Sequence, residues 1–220
     1  MTVDVTLIAD PRVLRVPVNE RGDALVDLGT LRSLRLDSRR REVNPDLYLA
    51  REGLAQRLPQ AQDRLPEGLA LVIVEAYRPI DLQARFFDEH CRELRALHPD
   101  WNDDLVRTNA SRFVAPPDIV PPHSTGGAID LTLSTNDGEE LDMGTPVNAS
   151  PEDSQGACYA SAQGISGTAA RNRGLLISAM RAAGFVNYPT EWWHWSYGDR
   201  YWAYVLGKPT AMFGAVLSSG

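Results

Sequence analysis

Two β-rich runs set off by chain-breaking residues constrain this sequence most. LALVIVEAY begins at Leu69, directly after Pro66-Glu67-Gly68, and ends at Tyr77, just ahead of Arg78-Pro79. AIDLTLST, residues 128–135, follows Gly126-Gly127 and runs into Asn136-Asp137-Gly138, a strong turn signal. The first reads as a buried strand and the second, by its alternation, as a half-buried one. After the first run, Pro79 stands where a first helical residue belongs, and Phe87, Cys91, Leu94 and Leu97 make one apolar helical face that stops at Pro99. Glu75, Tyr77 and Arg78 therefore fall at a strand-to-helix junction.

Other segments arrange themselves around this frame. From Pro45 the apolar positions Leu47, Ala50, Leu54 and Leu58 recur at helical spacing, and a shorter helix is expected from about Asp103 to Phe113. That helix empties into the Pro-rich loop APPDIVPP, which cannot join a sheet interior and which delivers His123. Residues 142–167 are polar, rich in Gly and Ser and without period, and read as a long functional loop. A final helix is expected to turn Leu175, Leu176, Ala179, Met180 and Ala183 inward and to stop at Gly184. FVNYPTEWWHWSYGDRYWAYVL, with four of the five Trp, reads as two strands around Gly198-Asp199. Residues 1–40 offer only short apolar runs, Val3 to Ile8 and Val13 to Val16, and a charged stretch without period. With no internal repeat and no linker, residues 1–220 are expected to form one α+β domain, a mainly antiparallel sheet with flanking helices. A chain of 220 residues buries a sizeable core without disulfides, and Cys91 and Cys158 read as thiols, Cys91 packed on a helix.

Charge narrows the function. Against 29 acidic residues stand 22 basic ones, a net −7, and Arg39-Arg40-Arg41 is the one basic block. Nucleic acid is not an expected partner. No window of about 20 apolar residues exists, and the start MTVDVTLIADPRVL is acidic where a secretory signal is basic and then apolar. The expectation is a cytoplasmic protein with no membrane partner; oligomeric state has no signature here.

Of the four His, His90 and His98 lie on or just after a charged helix and read as solvated surface. His123 and His194 differ, because each has a carboxylate at short range, Asp130 and Glu191. In a regular strand a separation of seven puts side chains on opposite faces and more than about 20 Å apart. His123 and Asp130 can meet only if the chain turns between them, and Gly126-Gly127 allows that. Glu191 and His194, three apart, likewise require Trp192-Trp193 to be bulged or in a turn. Two neutral nitrogens and one anionic oxygen suit a catalytic zinc with a position open for water, one ion per chain. Glu191 is then free to move the proton of that water.

The run PPHSTGGAIDLTL, preceded by EAYRP and followed by EWWHW, resembles the D-alanyl-D-alanine dipeptidases of the VanX type. They are zinc peptidases related to the D-alanyl-D-alanine carboxypeptidases and the hedgehog signalling domain. The resemblance spans roughly residues 69 to 195 and implies a peptidase fold of that kind acting on a small cell-wall dipeptide. It assigns the zinc to His123, Asp130 and His194, general base and acid to Glu191, and stabilisation of the tetrahedral intermediate to Arg78. Glu75, Tyr77 and Asn148 are candidate substrate-binding residues. Pro121 stands where the family has Ser, and Asn148 where it has an Asp that helps hold the substrate amino group. Two other functions fit the same pattern: a carboxypeptidase or amidase on longer peptidoglycan peptides, and a zinc-stabilised binding module without catalysis.

Overall fold

A computed structural model of the chain describes residues 5–216. In chain order it contains a short helix α1 (Pro11–Leu14), strands β1 (Leu25–Asp27), β2 (Arg35–Leu36) and β3 (Leu49–Arg51), and helices α2 (Glu52–Ala55) and α3 (Leu58–Gln62). Strand β4 (Leu69–Glu75) and helices α4 (Ile80–Leu97) and α5 (Asp103–Ala110) follow. Strand β5 (Ala128–Thr135), helix α6 (Gly167–Ala182), strands β6 (Val186–Asn187) and β7 (His194–Ser196), and helix α7 (Arg200–Val205) complete the set. β1 and β3 form an antiparallel pair, and the main sheet has the order β2-β4-β5-β7-β6. Within it β2 runs parallel to β4, and every other neighbouring pair is antiparallel, so the expected mixed α+β, mainly antiparallel architecture is present.

The two breaker-flanked runs are β4 and β5, side by side at the sheet centre. β5 is not half-buried as its alternation suggests: Ala128 through Ser134 are all buried, Asp130, Thr132 and Ser134 included. The alternation is polar against apolar, yet β5 lies between β4 and β7 and the polar face is covered as well. A register shift between Ile73 and Glu75 bulges β4 and sets Glu75 opposite Asp130. Asp130 in turn pairs with His194 of β7, so three ionisable residues stand in one row across three strands.

Elsewhere the helical spacing from Pro45 is resolved differently. Leu47, Ala50, Leu54 and Leu58 are all fully buried, but Ala50 sits in β3 opposite Val26, and the chain turns into α2 and α3 only afterwards. A strand followed by two short helices buries the same four positions, which periodicity alone cannot distinguish. α4 starts one residue after Pro79 and buries Phe87, Cys91 and Leu94, whereas Leu97 at its last turn is 64% exposed. Gly184 ends α6 at φ +87°, as expected. α6 is not the final helix. The second strand expected after Gly198-Asp199 is α7 instead, because the Asp199 carboxylate accepts from Trp202 N at 2.8 Å and caps a helical turn. The Val13–Val16 run contributes to α1, and Val3 lies outside the described residues. Cys91 and Cys158 are free and buried. Among the described residues no helix is long and apolar enough to cross a membrane.

Gly126 and Gly127 carry the turn into β5. Gly126 adopts φ +70°, and a Cβ on Gly127 would lie 2.8 Å from the Tyr197 carbonyl oxygen and 3.0 Å from the Phe213 ring. Tyr197 N donates back to the Gly127 carbonyl at 2.7 Å, so neither backbone can retreat without breaking that bond. Gly127→Ala should therefore destabilise the fold by about 1–3 kcal/mol in urea unfolding, and an unchanged midpoint would show the approach to be slack.

Candidate metal centre and cleft

Three strands and one short turn converge on the site. Residues Pro122–Thr125 form a 3-10 turn that ends at Gly126 and presents His123 to the start of β5. The turn is laced to the segment after β4: Arg78 N donates to the His123 carbonyl, Ser124 Oγ to the Arg78 carbonyl at 2.9 Å, and His123 Nδ1 to the Ala76 carbonyl at 2.6 Å. With Nδ1 turned to the Ala76 carbonyl, the His123 ring points Nε2 inward. That nitrogen lies 3.1 Å from His194 Nδ1 and 3.3 Å from Asp130 Oδ1, and His194 Nδ1 lies 3.1 Å from the same oxygen. All three residues are buried.

These spacings fit a metal ion. Ligands of a tetrahedral zinc with bonds of about 2.0–2.1 Å stand about 3.3 Å from one another. His123, Asp130 and His194 offer one donor atom each within such a distance, and theirs is the group of that kind among the described residues. Burial pushes the Asp130 carboxyl up, but the His123 and His194 rings beside it outweigh that and hold it far below the usual carboxylate range. Burial lowers the His194 pKa, with Asp130 opposing, which favours the neutral ring that a metal requires.

Glu191 stands beside this cluster, its Oε2 3.8 Å from His194 Nδ1. Trp192 and Trp193 lie in a turn, the geometry that the three-residue spacing demanded. Within it Glu191 N donates to the Tyr188 carbonyl and His194 N to the Glu191 carbonyl, while the Asn187 amide donates to the Glu191 and His194 carbonyls at 3.0 Å each. Asn187 has no signal in the sequence beyond being polar next to a Trp-rich run. Burial, with the Asp130 charge adding and Arg78 opposing, pushes the Glu191 carboxyl well up.

The cluster opens into a cleft of about 290 Å³ between α4 and the Pro121–His123 segment. Arg78, Asn148, Glu191 and the three cluster residues line it. Asn148 adopts φ +64°, a left-handed conformation that Asn tolerates better than most residues. Glu75 and Tyr77, expected to contact substrate, do not line the cleft. Glu75 lies behind Arg78, accepting from its Nε at 2.9 Å and Nη2 at 2.7 Å, from the Asn44 amide at 2.9 Å and, at 3.3 Å, from Arg40. Its place is support for the guanidinium, because a buried carboxylate is tolerable only where cations and donors surround it. The Tyr77 carbonyl is held by the same Asn44 amide, which turns that residue's backbone to the support side. Gln83, which the sequence did not flag, accepts from Arg78 Nη1 at 3.0 Å and faces the cleft. His90 is not solvated surface: it is buried on the cleft side of α4, edge-on to Phe113, with Nδ1 3.2 Å from Glu93. The Phe113 segment folds back over α4 and covers it. His98, the other one set aside, stacks on Trp101.

The sequence profile of Peptidase_M15, D-ala-D-ala dipeptidase, matches residues 40–208. A D-alanyl-D-alanine dipeptidase of Synechocystis sp. is 30% identical over 89% of this chain and 90% of its own length. Proteins described in the same words from Enterococcus faecium and Escherichia coli are 33% and 36% identical, covering 66% and 58% of this chain and 71% and 54% of their own.

Removing the carboxylate behind Arg78 has two expected consequences. Glu75→Gln leaves buried cations without their counter-charge and should lower unfolding stability by about 3–5 kcal/mol. Burial raises the Glu75 pKa, but the Arg78 charge and hydrogen bonds dominate and bring it from 4.5 to about 2. A lowered folded-state pKa contributes stability above pH 4.5 that disappears as the pH falls through about 2. The difference between wild type and Glu75→Gln in urea titrations should therefore shrink over that window; a constant difference would mean that the pair contributes nothing through its charge.

Proposed function

The chain belongs to the Peptidase_M15 family of D-ala-D-ala dipeptidases, and on that premise we propose that it hydrolyses a small dipeptide, D-alanyl-D-alanine, with one zinc ion held by His123, Asp130 and His194. The observation that carries this reading is the convergence of two ring nitrogens and one carboxylate oxygen at 3.1–3.3 Å, with a separate carboxylate 3.8 Å away. A zinc ion held by these three residues would supply Lewis-acid chemistry and would bring the pKa of water there to about 7. Glu191 takes a proton from the attacking water as the new C–O bond forms on the scissile carbonyl carbon. It then delivers that proton to the amine nitrogen as the C–N bond breaks, so one carboxyl serves as base and then acid. A pKa raised by burial suits a group that must hold a proton between the two steps.

Arg78 faces the cleft with its Nε and Nη edges fixed by Glu75 and Gln83, and donates from what remains to the oxygen of the tetrahedral carbon. Glu75 and Gln83 act through Arg78, orienting it. Asn148 lines the cleft where the substrate's amino end would lie, as an amide rather than a carboxylate. The reading treats residues 1–220 as one catalytic domain, supported by a hydrophobic core that runs from Ile8 to Phe213.

Zinc-loaded Glu191→Gln should lose about 10²- to 10⁴-fold in kcat while still binding one zinc per chain by elemental analysis; wild-type turnover in that variant would sink the reading. Arg78→Ala should lose about 10²- to 10³-fold. Chelation of wild type should abolish hydrolysis and lower the melting temperature, and added zinc should restore both. Faster cleavage of a pentapeptide stem than of the free dipeptide would favour the carboxypeptidase instead, and tight zinc with no turnover on either would favour a binding module.

A further inference from the structure

One cation in the cleft has no part in the chemistry above. Of the basic block Arg39-Arg40-Arg41, Arg39 pairs with Asp37 and Glu140, and Arg41 lies over the Tyr48 ring. Arg40 instead lines the cleft. Its Nη1 lies 3.3 Å from Glu75 Oε2, the same oxygen that Arg78 Nη2 reaches at 2.7 Å. Both guanidiniums lie over the Phe86 ring, Arg40 at 5.3 Å and Arg78 at 5.0 Å from its centroid. The two are therefore side by side, sharing one carboxylate and one aromatic face. Two guanidiniums thus share the single carboxylate of Glu75. Glu75 is the one ion-pair partner of Arg40 among the described residues, so most of its five donors are unspent.

The two cations differ in depth. Arg78 is nearly buried, and its charge is felt at Asp130 and Glu191. Arg40 is the more exposed of the two, its side chain 29% exposed. Resting on the proposed hydrolysis beside Arg78, we propose that Arg40 binds the free C-terminal carboxylate of the substrate. In a peptide cut one residue from its end, that carboxylate follows the scissile carbonyl by one residue, a reach of roughly 3.3–3.6 Å. A second guanidinium beside the first matches this interval, and a planar fork suits a carboxylate. The substrate class is then a peptide whose last residue is released with its carboxylate free, and a C-terminal amide or an internal bond is disfavoured.

The test compares D-alanyl-D-alanine with its C-terminal carboxamide on zinc-loaded wild type, Arg40→Gln and Arg40→Lys. Wild type should show a KM about 10- to 100-fold higher for the amide. Arg40→Gln should raise KM for the acid by a similar factor, leave the amide unchanged and keep kcat within about threefold, and Arg40→Lys should restore part of the preference. Equal loss on acid and amide in Arg40→Gln, or retention of the wild-type preference, would overturn the assignment. Calorimetric titration of the same two ligands into the same proteins reads the preference without turnover. Preferential binding of the acid that depends on Arg40 but leads to no hydrolysis would refute the hydrolytic reading and leave the role of Arg40 standing, while equal binding of acid and amide by wild type refutes that role.

Discussion

The pairing of β5 with a strand on each side sets the site. Because β4 and β7 are both antiparallel to β5, Glu75, Asp130 and His194 come into one row, and the bulge after Ile73 is what brings Glu75 level with Asp130. A one-residue slip in either pairing would turn a side chain to the other face of the sheet and scatter the row. The hydrophobic neighbours forbid that slip: Ile73, Ile129, Leu131, Leu133 and Trp195 are all fully buried, and each would have to surrender its place. The chemistry of the cleft is thus held by apolar packing that takes no part in it.

Such a row is unfavourable in itself. Carboxylates and imidazoles removed from water need partners, and here they supply one another: Asp130 leans on two rings, Glu75 on two guanidiniums and an amide, and His123 on a backbone carbonyl. Glu191 is the exception. Its pKa is driven up by burial and by Asp130, with Arg78 and a hydrogen bond from Trp193 opposing. A buried carboxyl displaced in this way beside a cleft is the kind of group that functional sites concentrate.

How much of this was legible in the sequence follows from the range of each signal. Local signals were: the strands at 69–75 and 128–135, the Gly126-Gly127 turn, the stop at Gly184, and the turn forced between Glu191 and His194. The convergence of His123, Asp130 and His194 was legible too, from ligand type and from the resemblance together. What depended on tertiary partners was not. Alternating β5 is buried on both faces because β7 lies beyond it, and Ala50 pairs with Val26 where periodicity suggested a helix. Gly198-Asp199 looked like a hairpin turn, yet Asp199 caps α7. Glu75 and Tyr77 were placed near the substrate by proximity in sequence to Arg78, whereas the side of the chain they face is decided by Asn44, 31 residues away from Glu75. Gln83 and Asn187 carry no local mark at all, and Arg40 stood out only as part of a basic block.

Residues 142–166 contain no helix or strand, but they are not a loose flap. Arg173 on α6, buried and with its pKa lowered by desolvation to about 10, donates to the carbonyls of Met143, Ala157 and Tyr159, and its guanidinium lies over Trp192. Trp192 in turn bonds Thr145 through its indole nitrogen and Cys158 through its backbone. Trp192 is the residue next to Glu191. The segment is thereby tied through Trp192 to the turn that presents Glu191 to the cleft. Arg173, which does not itself line the cleft, therefore helps to hold the turn that carries Glu191.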